Sequence, residues 1–270
     1  MSEFFGLTDT HAHLSFLAER DVAVQDIAAH LEVFDSILDI GTNAGDLPDR
    51  IAAFGPQGQT PLKNVRFAAG IWPHKADIRD RMSQIERLCA NIEAAPSALV
   101  AAIGECGFDR RENQEPSSGE TELFCMQLEA ARRYKKPVIV HTREAAAQTQ
   151  ETLAAFKDVQ AIIHCYSYGV EDAKKFLDLG CYISFAGNLT FKNAQNLREA
   201  IKVVPHERLL FETDCPYLAP VPHRGKTATP LMILETYKMA AELLSVDIED
   251  LKHTISENAR TVFGQNNFSI

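Results

Sequence analysis

Short apolar runs rich in β-branched residues recur along the chain, separated by longer segments with helical patterning. Eight runs predict strands, at residues 4–9, 35–41, 65–71, 98–104, 136–141, 159–164, 180–185 and 208–212. The other segments predict helices, near residues 20–32, 44–54, 80–95, 120–134, 143–156, 169–178, 192–202, 230–244 and 246–259. This alternation is typical of parallel strands joined by crossover helices.

Polar residues at the strand ends distinguish between two architectures. Six potential metal ligands lie at or just beyond the C-terminal ends of five predicted strands: His11, His13, Glu105, His141, His164 and Asp214. An open doubly wound sheet is compatible with the periodicity, but it would spread them along a line at about 4.8 Å per strand. In a closed barrel those ends converge on one mouth. We therefore predict an α/β fold, a single TIM-like (β/α)8 barrel domain over residues 1–270 with a metal site at the C-terminal ends of its strands.

The composition fits a globular protein with an acidic surface. The chain has 270 residues, with 27 Lys and Arg against 37 Asp and Glu, which gives a formal charge of −10. Such a balance argues against tight non-specific binding of duplex DNA through a basic face. A polyanionic substrate is still compatible with it, because bound cations reverse the local sign of the charge.

Targeting signals and cysteine usage bear on the compartment. The first candidate motif begins at residue 9, which leaves no room for a secretory signal, and no run of 18 apolar residues predicts a membrane span. The six cysteines form no CxxC pair, and several lie in apolar runs, as reduced buried thiols do. We expect a cytoplasmic protein with no membrane partner.

The segment Asp9-Thr10-His11-Ala12-His13 is the first candidate for metal chemistry. Two histidines at positions i and i+2 of a strand point to the same face, because side chains alternate with a period of two. Two neutral imidazoles that converge from a rigid element suit a divalent cation.

The other four ligands have ordinary explanations when each is taken singly. Glu105 follows a buried strand, so its carboxylate is paired, exposed or metal-bound. His141 and His164 each end an apolar run and could be core histidines, and Asp214 is suited to be a ligand or a base. Their shared position at strand ends favours a metal-dependent hydrolase.

Eight short motifs span most of the chain: residues 9–14 (DTHAHL), 104–109 (GECGFD), 137–143 (PVIVHTR), 164–167 (HCYS), 183–187 (ISFAG), 212–218 (ETDCPYL), 224–226 (RGK) and 257–260 (ENAR). In these motifs the chain resembles the TatD family of metal-dependent deoxyribonucleases, within the amidohydrolase superfamily of distorted (β/α)8 barrels. The resemblance implies hydrolysis of phosphodiester bonds in nucleic acid, with DNA favoured and RNA possible, by an exonuclease acting on ends or single strands.

The resemblance also implies roles for the six ligands. His11, His13 and Asp214 would hold one divalent ion, His141 and His164 a second, and Glu105 would bridge the two. Glu105 and Asp214 would be the catalytic carboxylates, while Asp9 and Asp109 would support the ligands or the local backbone. A set of nitrogen and oxygen ligands suits zinc, manganese or magnesium and does not distinguish among them.

Two stretches depart from the family pattern, and both are expected to touch substrate. Trp72 stands where the family has the first histidine of Gly-x-His-Pro-His, and Ala228-Thr229-Pro230 replaces an Asn-Glu-Pro run. Trp72 would stack a base or pack as a lid. The other expected substrate contacts are cationic or imidazole side chains near the mouth: His74, Arg143, Arg224 and Lys226.

Two other functions are compatible with these residues. An amidohydrolase or esterase, such as an aminoacyl-tRNA deacylase, would use the same metals on a carbonyl substrate. Many binuclear amidohydrolases bridge their ions with a carbamylated lysine at the fourth strand, where this chain has Glu105, and that difference favours the phosphodiesterase. A non-catalytic barrel scaffold is the remote alternative, and the intact ligand set argues against it. No obligate protein partner is implied.

Overall fold

Eight parallel strands form one sheet in a computed structural model that describes residues 2–20, 22–114 and 117–264. The strands follow one another in sequence order across the sheet. They are β1 Thr8–Ala12, β2 Ser36–Ile40, β3 Val65–Ala69, β4 Val100–Asp109, β5 Val138–Arg143, β6 Ala161–Ile163, β7 Tyr182–Phe185 and β8 Leu209–Phe211. Residues 115 and 116, residue 21 of the predicted helix 20–32, and the ends of the predicted domain at residues 1 and 265–270 lie outside the described residues.

Backbone contacts between the first and last strands close the sheet into a barrel. The amide of Asp214, just after β8, donates to His11 O at 2.9 Å, and the amide of His13 donates to Cys215 O at 2.9 Å. Ala12 and Cys215 form a parallel bridge. The (β/α)8 barrel is therefore confirmed, and the open doubly wound alternative is excluded.

Helices alternate with the strands much as the patterning predicts. The described residues form α1 Leu14–Ala18, α2 Val24–Leu31, α3 Leu47–Phe54, α4 Lys75–Arg79, α5 Arg81–Ala94, α6 Ser118–Tyr134, α7 Ala146–Ala154, α8 Val170–Asp178, α9 Gln195–Ile201, α10 Ile233–Leu244 and α11 Ile248–Phe263. All nine predicted helices have a counterpart here. The short helices α1 and α4 were not predicted, since five residues are too few to show helical periodicity.

Two strand predictions need correction. The first strand is not the apolar segment 4–9 but the polar Thr8–Ala12, while Ser2–Phe4 is a 3₁₀ helix. Polar side chains are tolerated inside β1 because they find partners there, as when the Thr10 hydroxyl donates to Phe211 O at 2.9 Å. The fourth strand continues to Asp109, so Glu105 lies within it rather than beyond it.

The core has two layers, and α11 closes the bottom of the barrel. Most buried apolar side chains pack between the strands and the surrounding helices. A second cluster fills the barrel itself, where Leu38, Ile139 and Leu210 meet Val262 and Phe263 of α11. This plug leaves the C-terminal ends of the strands as the open face. No helix among the described residues is long and apolar enough to cross a bilayer.

Candidate metal centre

β1 brings the two histidines of the first motif together at the open face. His11 lies in the strand and His13 directly follows it, at the N-terminus of α1. Their Nε2 atoms are 3.2 Å apart. The Nδ1 atom of His13 lies 3.2 Å from the Ile40 carbonyl oxygen, so it carries the proton and leaves the Nε2 lone pair free for a cation.

Glu105 and Asp214 complete this first cluster. Glu105 Oε2 lies 3.5 Å from His11 Nε2 and 3.6 Å from His13 Nε2. Asp214 Oδ1 lies 3.6 Å and 3.5 Å from the same two nitrogens. A tetrahedral ion with bonds of about 2.1 Å holds its ligands about 3.4 Å apart, so each of these carboxylate oxygens is spaced from the two histidine nitrogens as a ligand of one shared cation would be.

The other oxygen of Glu105 faces a second cluster. Glu105 Oε1 lies 2.7 Å from His141 Nδ1 and 3.0 Å from His164 Nε2. Those two nitrogens are 3.1 Å apart. The separations are close to the roughly 3.0 Å between neighbouring ligands of a six-coordinate ion with bonds near 2.1 Å.

Buried carboxylates orient the histidines of the second cluster. Asp109 Oδ2 lies 2.9 Å from His141 Nε2, which turns Nδ1 towards Glu105. Glu212 Oε1 lies 3.3 Å from His164 Nδ1 and accepts a 2.6 Å hydrogen bond from the amide of Cys165. Carboxylates placed behind a ligating imidazole fix its tautomer and its orientation. Asp109 thus takes the supporting role expected of it.

Glu212 is a supporting residue that the sequence reasoning missed. It lies directly after the apolar strand β8 and is fully buried. A carboxylate after a buried strand is the same signal that identified Glu105, so the pattern could have indicated it.

Asp9 stabilises the backbone rather than a histidine ring. Its Oδ1 accepts hydrogen bonds from the amides of His11 at 3.2 Å and Thr213 at 3.0 Å, and its Oδ2 accepts one from the Thr213 hydroxyl at 2.6 Å. Asp9 therefore ties the end of β1 to the segment that carries Asp214. Asp214 itself has a φ of 56°, a left-handed conformation that aspartate adopts more readily than most residues.

The two clusters concentrate negative charge where cations would sit. Burial alone would raise the pKa of Glu105, but the charge of His164 and hydrogen bonds from three histidines hold it well below its usual value. Burial would likewise lower the pKa of His164, but the Glu105 charge raises it well above its usual value. A proton on His164 thus balances the charge of Glu105 here.

The donor set fits divalent cations. Four imidazole nitrogens and two carboxylates form a nitrogen and oxygen donor set suited to a divalent cation, and the described residues put no thiolate in these groups. The groups are contiguous, because the rings of His11 and His164 stack with their centroids 4.0 Å apart. All six ligands predicted from the sequence are therefore brought together.

A cleft of about 640 Å³ opens above the metal centre. Of the five predicted substrate contacts, Trp72 and Arg143 line it, and Arg143 has a side chain 51% exposed. His74, Arg224 and Lys226 are exposed and do not line it. His74 instead caps α4, where its Nδ1 accepts from the amide of Ala76.

The described cleft walls also contain residues that the sequence reasoning did not single out. All eight are of uncharged types, and they come from several βα connections: Phe16, Thr42, Thr142, Cys165, Ser167, Asn188, Tyr217 and Leu218. Tyr217 and Leu218 lie in the segment that follows the candidate ligand Asp214. Phe16 gave no signal, since it belongs to the unpredicted helix α1.

Comparison with known proteins identifies the family. The family model described as TatD related DNase matches residues 8–264. The metal-dependent hydrolase YcfH of Escherichia coli K12 is 36% identical over 261 residues, 95% of each chain. The metal-dependent hydrolase YabD of Bacillus subtilis is 32% identical over 264 residues, 95% of this chain and 98% of YabD. The chain belongs to the TatD family of metal-dependent hydrolases.

A solved structure supports the fold. The TatD homologue YJJV from Escherichia coli superposes with a TM-score of 0.81 at 24% identity, over 96% of this chain and 98% of that chain. The family assignment and the converging ligands set the non-catalytic scaffold aside.

Proposed function

We propose that this protein is a two-metal phosphodiesterase acting on nucleic acid, a deoxyribonuclease that works on ends or single strands. The observation that carries the proposal is the placement of Glu105, whose two oxygens face two different groups of ligands. A carboxylate placed in this way would be shared by two cations, an arrangement that enzymes use for displacement at phosphorus.

The residues would divide the chemistry as follows. Two divalent cations would supply Lewis acidity, acidifying a water and neutralising charge that develops on the phosphate. His11, His13 and Asp214 would hold one, His141 and His164 the other. Asp214, whose side chain is 14% exposed, lines the cleft and would accept the proton of the attacking water. Arg143 is the cation on the cleft wall suited to a phosphate oxygen.

The setting we infer for this activity is the cytoplasm. All six cysteines are free thiols, as expected in a reducing compartment. Nucleic acid would be the partner as substrate, and neither a membrane nor an obligate protein partner is required.

The experiment is a cleavage assay with metal analysis. End-labelled single- and double-stranded oligonucleotides are incubated with magnesium, manganese or zinc, beside aminoacyl-tRNA and a panel of amides. We expect cleavage of oligonucleotides, faster from unpaired ends. Turnover of the carbonyl substrates with none of the oligonucleotides would replace the proposal with the amidohydrolase.

Substitution of the bridging residue tests the role of Glu105. Glu105→Gln keeps the size of the side chain and removes its charge, so we expect less bound metal and a fall in turnover of roughly a hundredfold or more. Glu93→Gln, in an exposed ion pair with Arg133, is the matched control and should change neither quantity. Full activity and full metal content in Glu105→Gln would show that the assignment is wrong.

A further inference from the structure

Two aromatic side chains stand at opposite ends of the metal centre. Trp72 meets His141 edge-to-face with ring centroids 5.8 Å apart, and His141 belongs to the second cluster. Tyr217 meets His13 edge-to-face at 6.3 Å, and His13 belongs to the first cluster. Both rings line the cleft. A phosphate placed over the centre would therefore have an aromatic ring on each side.

The Trp72 segment is fixed by the surrounding barrel. Gln127 of α6 makes two hydrogen bonds to Ile71, accepting from its amide at 2.7 Å and donating to its carbonyl at 3.0 Å. Asn113 Nδ2 donates to Pro73 O at 2.7 Å, and the Trp72 amide donates to Thr42 O at 2.9 Å. An aromatic ring on a segment held this firmly loses little conformational freedom when a ligand stacks on it.

Tyr217 is exposed although it is aromatic, and it too is held in place. Its side chain is 43% exposed, one of the few large apolar groups in that state among the described residues. Its amide donates to Asp214 O at 3.0 Å. The Arg20 guanidinium lies 5.4 Å from the centroid of its ring. An exposed ring restrained beside a polar centre is suited to stack on a flat ligand.

We infer that Tyr217 is a substrate-binding residue, and that the cleft binds a dinucleotide step with one base on Trp72 and the other on Tyr217. This inference rests on the proposed function and names its substrate class. The rings belong to opposite clusters, so the two bases would be separated from each other rather than stacked as in a duplex. The substrate would thus be an unpaired strand, read by the faces of its bases without sequence preference.

The test uses Trp72 as a reporter, since it is the single tryptophan of the chain. A thymidine dinucleotide with a phosphorothioate linkage, which is hydrolysed slowly, is titrated into the metal-loaded protein. The matched probe has the same linkage between two abasic tetrahydrofuran sugars. We expect the base-bearing probe to bind more tightly and to quench the tryptophan emission, and the abasic probe to leave the emission unchanged.

Variants of Tyr217 test whether the second base stacks on this residue. Tyr217→Leu should weaken the base-bearing probe by roughly 5- to 150-fold, the range that base–aromatic stacking supplies, with little effect on the abasic probe or on metal content. Tyr217→Phe keeps the aromatic face and should restore the preference for bases. Phe5→Ala removes an aromatic side chain, 67% exposed, that precedes β1, and serves as the control.

The outcomes separate this inference from the proposed function. Equal binding of the two probes, or equal losses for both in Tyr217→Leu, would overturn the inference while oligonucleotide cleavage stood. Absence of oligonucleotide cleavage, with base-dependent binding retained, would instead overturn the phosphodiesterase and leave the two stacking positions in place.

Discussion

At the scale of one residue, the burial of Asp9 holds the site together but costs the protein stability when the carboxyl group ionises. It is fully buried, and burial raises its pKa from 3.8 to about 7. Between these two values the folded protein keeps the proton and the unfolded chain does not. The folded state then binds more protons, so its stability decreases as pH rises through this window, and the loss is complete above about pH 7.

The variant Asp9→Asn tests this cost. Asparagine imitates the protonated carboxyl, because its amide group can donate to the Thr213 hydroxyl while its oxygen accepts from the two backbone amides. In metal-free protein, we expect its free energy of unfolding relative to wild type to rise between pH 4 and pH 7, by on the order of 4 kcal/mol at full ionisation. Urea denaturation across that range measures it, and a difference that does not vary with pH would contradict the assignment.

The histidine ligands predict a second dependence on pH. Burial would lower the pKa values of His13 and His141, but hydrogen bonds with Asp214 and Asp109 raise them above 6.5. Protons compete with metal for the same nitrogens, so metal affinity should fall as pH decreases, beginning above that value. Competition with a chelator between pH 8.5 and 5.5 measures the affinity. We expect a fall of up to about tenfold per pH unit for each protonated histidine, and a flat profile would exclude these ligands.

At the scale of elements, a buried ion pair joins the parts that carry the first cluster. Arg50 of α3 donates to Asp39 of β2 at 2.8 Å and to the Ala68 carbonyl of β3 at 2.7 Å. Asp39 accepts in turn from the amide of Leu14 at 2.9 Å, next to His13. The start of α1 and the position of His13 therefore depend on contacts from three neighbouring elements.

Asp39→Asn should distinguish the positioning of His13 by Asp39 from a general contribution to stability. It leaves Arg50 with one carboxylate, Asp46 at 3.0 Å, so we expect destabilisation of about 3 kcal/mol, near the low end for a broken buried pair. The exposed-pair control Glu93→Gln should cost less than about 1 kcal/mol. Calorimetric titration with metal should show weaker binding at one site only. Equal weakening at both sites would mean that Asp39 supports the barrel and not His13 in particular.

The whole molecule carries a charge of −10 around a centre built for cations. Its surface repels a polyanion at long range, whereas a cleft with bound cations and Arg143 attracts phosphate locally. Binding of nucleic acid should therefore displace few counterions.

The salt dependence of binding tests this division of charge. For a single-stranded oligonucleotide we expect the logarithm of affinity to fall with the logarithm of salt concentration with a slope no steeper than about −3. Arg143→Ala should make the slope shallower by the contribution of about one phosphate contact. A steep slope with tight duplex binding would contradict this division and indicate binding through a basic surface.

The sequence by itself determined the order of the elements and the set of candidate ligands. Apolar periodicity is local, so the alternation of strands and helices could be predicted within a few residues at most positions. The candidate ligands could be predicted because the β-strands of a barrel converge at their C-terminal ends. Residues at that end of different strands therefore lie close together at the mouth. His11, His13, Glu105, His141, His164 and Asp214 share that position.

Only the tertiary structure decided what depends on direction and distance. Polar Thr8–Ala12 became β1 because distant residues such as Thr213 and Phe211 supply its hydrogen bonds. The division of the Glu105 oxygens between two clusters follows from side-chain geometry. The positions of loop residues cannot be inferred from the convergence of strand ends, because they depend on packing and capping. His74 caps a helix, whereas Tyr217 reaches the cleft.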